Sequence, residues 1–363
     1  MNSFFKVGDI GVLLDTSGDR FWRTYLEHQL NTQLDGFQCN RNVAISSNYQ
    51  LRIRDYSLLP VGDNISLIVP RYCMFFDNIY VDLQMGVALR EMKNRVDYWC
   101  SPTTFFSAPF LLQFLLLQQG KTFTHSAAIS VDGIGILLPA YGGIGKTAFI
   151  SQAANNKRVK VIGDDLAILT KDGMLEPYLR PFCLYKYHKA LFPDFFSNHH
   201  IYHNKYIAWG WRACRSAANM IFSRFEMSSC RIPKNVATTG YVSVSPTRLF
   251  HDSSLEKSSV QIGKIYLLQR SKGLTDLKME PIDKNYLTSF LLNGFYHEFH
   301  KYSRFLCSWL SNVGVSLSEY FCSVEKPIKS VIEKSTEVKK ITIPEKMPIA
   351  ETGERLLDFI LKA

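Results

Sequence analysis

Residues 134–147 read IGILLPAYGGIGKT, and this stretch decides how the rest of the chain is interpreted. The apolar run 134–139 is typical of a buried strand, and the glycine-rich run 140–146 marks a loop after it. A helix is expected to follow from Thr147 to about residue 154. Strand, glycine-rich loop and helix in this order are the context in which a phosphate-binding loop is expected.

The glycine-rich loop contains the residue types that bind a phosphate group. The first N–H groups of a helix have no partner within it, and glycines before them let several amides turn toward one anion. Lys146 can reach the β- and γ-phosphates of a nucleotide, and the Thr147 hydroxyl can bind Mg²⁺. The predicted nucleotide-binding residues are Gly142, Gly143, Ile144, Gly145, Lys146, Thr147 and Ala148.

Two adjacent carboxylates follow the next predicted strand. Residues 159–162 read VKVI, and Asp164 and Asp165 come shortly after them. Adjacent carboxylates repel each other and favour a cation between them and the phosphates. One can hold Mg²⁺ and the other can take a proton from an attacking hydroxyl, although a polar strand end that caps the next turn is the alternative. Asp164 follows Lys146 by 18 positions, so its strand is predicted to lie directly beside the loop strand.

Four motifs follow one another in this part of the chain. They are HSAA at 125–128, DGIGILL at 132–138, GIGKT at 143–147 and IGDD at 162–165. In this order they resemble the HPr kinase/phosphorylase-like family, which is related to ATP-dependent phosphoenolpyruvate carboxykinase. The resemblance implies an α/β fold with a P-loop kinase core of that type, which we expect over residues 120–363. Residues 1–119 are expected to form a strand-rich α+β domain of unassigned role.

The resemblance also implies a role for each site residue. Lys146 and the loop amides bind the phosphates of ATP, while Thr147 and Asp165 bind Mg²⁺. Asp164 is the general base on the acceptor hydroxyl, and His125 orients or tunes that carboxylate. The chemistry is coherent, since phosphoryl transfer depends mostly on positioning and charge neutralisation. The expected function is transfer of the γ-phosphoryl group of ATP to a hydroxyl of a peptide, protein, sugar or small molecule.

Two features separate the chain from true HPr kinases. Ala140 stands where the pattern G-x-x-x-x-G-K-[ST] has its first glycine, and the sequence contains no E-R-G-x-G signature. We therefore expect an HPr-kinase-like protein whose acceptor is not HPr. A nucleotide-binding regulatory module without phosphoryl transfer is the main alternative, and an ATPase dependent on nucleic acid is a more distant one.

A basic segment follows the acidic pair. Residues 180–235 hold nine Lys or Arg and two Asp or Glu, so 9 − 2 = +7 of the net charge of +10 lies there. The segment could be a solvated face, could bind an anionic acceptor or could bind nucleic acid, which is the least favoured. Arg180 is the best candidate for an anion contact outside the loop. His199, His200 and His203 have a spacing that allows metal binding, but a solvated loop is favoured.

Composition narrows the class of protein. Hydrophobic residues make up 46% of the 363 residues and charged residues 20%, which argues against a disordered chain. Eight scattered cysteines without a C-x-x-C pair predict reduced thiols. The apolar run 105–117 is shorter than the ~20 residues of a membrane span and predicts a buried helix that ends at Gly120. The N-terminus lacks a signal-peptide pattern, so a cytoplasmic location is expected.

Periodicity predicts the remaining elements. Asp19 is expected to cap a helix whose apolar face includes Trp22, Leu26 and Leu30. Strands are predicted at 49–53, 65–69, 78–83, 122–131 and 262–268, helices over 283–312 and around 356–360, and an exposed Lys/Glu/Pro-rich connection over 325–346.

Overall fold

The protein is described by a computed structural model that covers residues 3–15, 17–60, 65–198 and 241–362. Over these ranges it is a mixed α/β structure with two large mixed sheets and about ten helices. The three histidines His199, His200 and His203, and most of the basic segment, lie outside the described residues.

The first sheet contains eight strands that all fall within residues 4–100. Their order is β1-β2-β3-β8-β7-β6-β5-β4, and β3 pairs in parallel with both β2 and β8. The strands are β1 (Phe4–Val7), β2 (Ile10–Leu14), β3 (Tyr49–Asp55), β4 (Ile65–Val69), β5 (Cys73–Phe76), β6 (Ile79–Asp82), β7 (Val87–Met92) and β8 (Arg95–Cys100).

The second sheet contains nine strands within residues 121–344. The order β12-β10-β11-β17-β14-β13-β9 forms its main path, and β19 pairs with β17 and β18. A separate ribbon joins β15 (Phe182–Tyr185) to β16 (Tyr241–Val244). The nine strands are β9 (Lys121–Thr124), β10 (Ser126–Val131), β11 (Ile134–Pro139), β12 (Val159–Gly163), β13 (Ala167–Thr170), β14 (Met174–Glu176), β17 (Val260–Ser271), β18 (Lys278–Pro281) and β19 (Glu337–Pro344).

Helices cover the apolar faces of both sheets. At the start of the first helix, Asp19 accepts hydrogen bonds from the N–H groups of Phe21 and Trp22, which confirms the predicted cap. One hydrophobic cluster contains residues of both sheets and of the helix between them. The helices are α1 (Arg20–Gln33), α2 (Arg41–Ile45), α3 (Ala108–Gln118), α4 (Lys146–Ala153), α5 (Pro193–Asn198), α6 (Pro246–Leu249), α7 (Lys284–Glu298), α8 (Ser303–Val313), α9 (Leu317–Lys334) and α10 (Ile349–Lys362).

The apolar run in front of Gly120 forms α3, which is buried along most of its length. Gly120 follows it with a φ of 67°, a left-handed conformation that suits glycine. Across the described part of the chain, every helix is too short or too polar to cross a bilayer. The prediction of a buried helix is therefore confirmed.

The exposed connection predicted over residues 325–346 is wrong. The segment forms the C-terminal half of α9 and the whole of β19, which pairs in parallel with the central strand β17. Ile328, Val331 and Ile332 are buried at helical spacing, and Ile341 and Ile343 of β19 are fully buried. The charged residues between them occupy the opposite face, so composition suggested a loop where apolar periodicity would have indicated regular structure.

Two predictions about the strands near the glycine-rich loop also need correction. The single strand predicted over 122–131 is divided at His125 into β9, which pairs with β13, and β10, which pairs with β11 and β12. The acidic strand β12 does not lie beside the loop strand β11, because β10 runs antiparallel between them. A short interval along the chain therefore did not mean adjacent strands.

Candidate phosphate-binding site

Three strands bring the predicted site residues to one edge of the second sheet. Strand β11 ends at this edge and continues into the glycine-rich loop, and β12 ends there just before Asp164. Because β10 is antiparallel to both, its beginning, just after His125, lies at the same edge. The loop, the histidine and the acidic pair are thus neighbours, although β10 separates the strands that carry the loop and the acids.

The backbone of the loop has the conformation that only glycine adopts easily. Gly143 has a φ of 80° and Gly145 has a φ of 118°, both in the left-handed region. Gly145 is the N-cap of α4, and no side chain among the described residues caps it. The first N–H groups of α4 therefore remain available to an anion.

The backbone conformation of Ala140 explains why the loop does not need a glycine at its first position. It is completely buried, and it is not among the residues with positive φ. An alanine side chain is therefore accommodated without backbone strain at this first position of the loop.

Lys146 is buried and folded back over the loop. Its Nζ donates hydrogen bonds to the carbonyl oxygens of Ala140, at 2.8 Å, and Tyr141, at 3.2 Å. It also lies 2.9 Å from His125 Nε2 and 3.8 Å from Asp165 Oδ1. Burial lowers the pKa of Lys146, while the carboxylates of Asp165, Asp164 and Glu298 act in the opposite direction.

His125 lies against Lys146 and Asp165. Its Nε2 is 3.8 Å from Asp165 Oδ1 and also 3.8 Å from Glu298 Oε1. Burial and the charge of Lys146 lower the pKa of His125 to about 4, so the ring is neutral at pH 7. An ammonium group can only donate, so Nε2 accepts from Lys146 and the ring proton is on Nδ1. The polar contacts of His125 within the described residues are therefore with Lys146, Asp165 and Glu298, and not with Asp164, the carboxylate it was expected to orient.

Asp164 is buried and contacts the first turn of α4. Its Oδ2 accepts a hydrogen bond of 2.9 Å from the Thr147 hydroxyl, whereas its Oδ1 is buried without a partner among the described residues. Burial first, and then the charge of Asp165, raise the pKa of Asp164 to about 7. The site therefore contains one carboxylate oxygen that is free to accept a proton or to bind a cation.

Asp165 faces a more positive environment. Its side chain is 43% exposed, and its Oδ2 lies 3.7 Å from Arg180 Nη1. Burial would raise the pKa of Asp165, but the charges of its basic neighbours, Arg180 first, outweigh burial and lower that pKa. The pKa values of the two neighbouring carboxylates are therefore shifted in opposite directions, which is the arrangement expected where one acts as base and the other stays ionised.

The side chains of His125, Lys146, Thr147 and the acidic pair line one cavity of about 300 Å³, which we call the phosphate cavity, whereas the predicted Ile144 is not among its lining residues. The predicted residues Lys146, Thr147, Asp164, Asp165 and Arg180 all contribute to its wall. Sequence reasoning missed eight further lining residues, which carry no local motif: Pro181, Phe182, Cys183, Tyr185, Tyr187, His188, Glu298 and Ile349.

Arg270 is a further residue that the sequence motifs did not indicate, and its side chain contacts the glycine-rich loop. Its Nε donates to the Ile144 carbonyl at 3.2 Å, and its Nη1 donates to the carbonyls of Glu345 and Met347, both at 2.9 Å. Its Nη2 donates to Thr352 Oγ1 at 3.0 Å. The guanidinium group therefore ties the glycine-rich loop to the segment that leads into α10.

The oxygen atoms at the site suit Mg²⁺ better than a softer metal. Within the described ranges, no group of three or more His, Cys, Asp or Glu side chains is arranged to hold a metal ion. Mg²⁺ typically takes one or two carboxylates and completes its octahedron with phosphate oxygens and water. The Thr147 hydroxyl and the acidic pair, with the unpartnered oxygen of Asp164, fit that requirement.

Comparison of the chain with models of known protein families finds no match, and comparison with curated proteins finds none either. The inferences about function therefore depend on the geometry of the site and on the resemblance of its motifs.

Proposed function

We propose that this protein is a kinase that depends on ATP and Mg²⁺ and transfers the γ-phosphoryl group to a hydroxyl acceptor. The main support for the proposal is that Lys146, Thr147, Asp164 and Asp165 all line one cavity. A P-loop kinase core of the HPr kinase-like type, and a cytoplasmic location, are parts of the same proposal. The choice of ATP over GTP rests on the resemblance of the motifs alone.

The loop supplies the binding energy for the phosphates. The uncapped start of α4 offers N–H groups, and the left-handed glycines let the preceding amides turn toward the same anion. The side chain of Lys146 is folded back over the loop, and its ammonium group can exchange its hydrogen bonds to the Ala140 and Tyr141 carbonyls for hydrogen bonds to phosphate oxygens. Its positive charge would then neutralise the charge that develops on the transferred group.

Thr147 and Asp165 would hold Mg²⁺, which neutralises phosphate charge when it is bound. Asp165 fits this role because its lowered pKa keeps it ionised and its side chain opens to the cavity. Arg180 and Lys146, which neighbour that carboxylate, keep it in place and lie where the phosphates would enter.

Asp164 is the proposed general base. Its Oδ1, which is buried and has no partner among the described residues, takes the proton of an acceptor hydroxyl bound against it while the hydroxyl oxygen forms a bond to the γ-phosphorus. The bond between the γ-phosphorus and the bridging oxygen breaks, and ADP leaves with that electron pair. A base with a pKa near 7 is best suited to this step at neutral pH.

The hydrogen bond from Thr147 to Asp164 allows a second assignment within the same function. In that assignment Asp164 holds Mg²⁺ with Thr147, and Asp165, which is more exposed, meets the acceptor. Variants of the two aspartates separate these roles, as described in the Discussion.

The direct test combines nucleotide binding with label transfer. Purified protein is titrated with ATP and Mg²⁺ and then incubated with γ-labelled ATP and with small-molecule and polypeptide fractions of the source cell. Lys146→Met is expected to weaken ATP binding and abolish transfer. Lys157→Met removes an exposed lysine outside the cavity and should match the wild type. Tight ATP binding without label in either fraction would instead identify a regulatory nucleotide-binding module.

A further inference from the structure

A second cavity of about 350 Å³ adjoins the phosphate cavity. The two share Arg180, Pro181 and Cys183 in their walls. Helix α1 and the start of α3 contribute further lining residues, as do β16 and Phe299. We call this space the acceptor cavity, and it lies between elements of the first hundred residues and the part of the chain that carries the glycine-rich loop.

Hydrogen bonds hold the walls of the acceptor cavity in place. The Ser243 hydroxyl of β16 donates to the Thr32 carbonyl of α1 at 2.9 Å. The Gln33 side chain accepts a hydrogen bond of 2.7 Å from the N–H of Ala108, and the N–H of Ser107 donates to the Tyr302 hydroxyl at 2.9 Å. Such cross-links fix the position of polar groups before a ligand arrives, which reduces the cost of binding.

The chemistry of the wall defines the kind of ligand. Gln29, Thr32, Gln33, Ser107 and Ser243 offer uncharged hydrogen-bonding groups, and Arg180 is the basic side chain at the end shared with the phosphate cavity. None of the lining residues within the described ranges is acidic. The Ser107 hydroxyl is buried and has no partner in the described part of the chain. Pro109, Pro181, Cys183 and Phe299 add apolar surface beside these polar groups. A molecule that carries several hydroxyl groups on a carbon skeleton, neutral or anionic, matches this wall, whereas a cationic one does not.

We infer that the acceptor cavity binds the phosphoryl acceptor, and that this acceptor is a small polyhydroxylated molecule. This inference rests on the proposed kinase function and names its substrate class. A volume of about 350 Å³ is within the range of small-molecule sites, and α1 and β16 both contribute to its wall. Arg180, 3.7 Å from Asp165, marks the junction at which an acceptor hydroxyl would meet the γ-phosphoryl group.

The assignment gives residues 1–119 a role that the motifs did not suggest. Helix α1 belongs to this N-terminal region, yet it lines the acceptor cavity. The glycine-rich loop would therefore bind ATP, while the N-terminal region would select the acceptor. Substitutions on α1 should accordingly change acceptor affinity and leave nucleotide affinity unchanged.

Helix α1 offers a matched pair of threonines for the test. The Thr32 hydroxyl donates to the carbonyl of His28, and the Thr24 hydroxyl donates to the carbonyl of Arg20, so each makes the same bond four residues back. Only Thr32 is among the cavity residues. The double variant Gln29→Leu/Thr32→Val removes two polar contacts from the wall, and Thr24→Val is the control.

The experiment measures label transfer from γ-labelled ATP to increasing amounts of the small-molecule fraction of the source cell, with a polypeptide fraction in parallel. The inference predicts label in the small-molecule fraction. It also predicts that the double variant needs about tenfold more of that fraction for half-maximal transfer, with unchanged ATP affinity. The control should behave as the wild type does.

The remaining outcomes overturn the inference in distinguishable ways. Equal transfer by the double variant and the wild type would locate the acceptor elsewhere, with the kinase function intact. Label only in the polypeptide fraction would exclude a small-molecule acceptor. ATP binding without label in either fraction would overturn the kinase function, and the inference with it.

Discussion

Each of the two large sheets has a buried aspartate in it or directly beside it, and the two aspartates have different surroundings. In the first sheet, Asp97 is fully buried and lies within 4 Å of Arg54, Arg90 and Arg95. Directly after β12 of the second sheet, Asp164 is buried as well, but it lines a cavity. In both aspartates Oδ1 has no hydrogen-bond partner among the described residues, but that of Asp97 lies 3.8 Å from Arg54 Nη2, whereas no described ion pair includes Asp164.

The difference shows how a carboxylate that stabilises a fold can be told from one that can do chemistry. Guanidinium groups surround Asp97, two of which also lie over the Trp99 ring, so its charge is satisfied by the fold itself. Asp164 has a threonine hydroxyl as its hydrogen-bond partner, and burial first, then the charge of Asp165, raise its pKa to about 7. Its remaining oxygen is left for a ligand. Four predictions test this comparison.

The largest expected effect is on phosphoryl transfer. Asp164→Asn should retain ATP binding and lower the transfer rate by about 10²- to 10⁴-fold, because the amide cannot accept the acceptor proton. Asp165→Asn should instead raise the Mg²⁺ concentration needed for half-maximal transfer. Steady-state assays with variable Mg²⁺ distinguish the two variants, and the opposite pattern would exchange the roles of the two aspartates.

The next prediction concerns Asp97, whose loss should affect stability and leave transfer intact. Asp97→Asn removes the shared partner of three arginines and should lower the free energy of unfolding by about 3 kcal/mol. Urea unfolding at pH 7 measures this, and the transfer rate per folded molecule should equal that of the wild type. A variant that keeps its stability but loses transfer would contradict the structural role assigned to Asp97.

A third prediction tests how tightly α4, which carries Lys146 and Thr147, packs against α10. A Cβ atom at Gly353 would lie 2.4 Å from the Ala148 carbonyl oxygen, so the backbone of α4 would have to move. Gly353→Ala should therefore destabilise the protein by about 2 kcal/mol and weaken ATP binding.

Gly294 of α7 provides the matched control for Gly353. It is also a buried helical glycine, but a Cβ there would meet His125 Cβ at 3.7 Å, an ordinary contact distance. Gly294→Ala should leave stability unchanged or raise it by about 0.5–1 kcal/mol, because alanine favours helix more than glycine does. Equal melting temperatures for the two variants would refute the close contact between α4 and α10.

The smallest expected effect is a pH dependence of stability from His188, which lines the phosphate cavity. Burial lowers the pKa of His188 to about 4, and its Nδ1 accepts a hydrogen bond from the Tyr185 N–H. Between the unfolded pKa of about 6.5 and the folded value of about 4, the unfolded chain binds more protons, so stability falls as the pH falls.

His188→Gln should remove this dependence. Between pH 7 and pH 5.5 the wild type is expected to lose about 1 kcal/mol more unfolding free energy than the variant does. Urea midpoints at the two pH values measure the difference. An identical loss in both proteins would show that His188 titrates normally in the folded state.

Local sequence determined the elements at the site. The order of strand, glycines, Lys146 and Thr147 predicted a loop and a helix, and the structure has β11, the left-handed Gly143 and Gly145, and α4 there. Asp19 at the start of α1 was likewise readable from the sequence. These features depend on backbone conformation and on hydrogen bonds between residues a few positions apart, which short motifs encode directly.

Tertiary structure alone decided which distant residues meet. The sequence did not show that β10 would separate β11 from β12, or that residues 325–346 would supply a helix and a central strand. Glu298 reaches the phosphate cavity from the end of α7, and Arg270 reaches the loop from β17. Strand pairing and helix packing select such neighbours through burial of apolar surface from the whole chain, and no local motif records that selection.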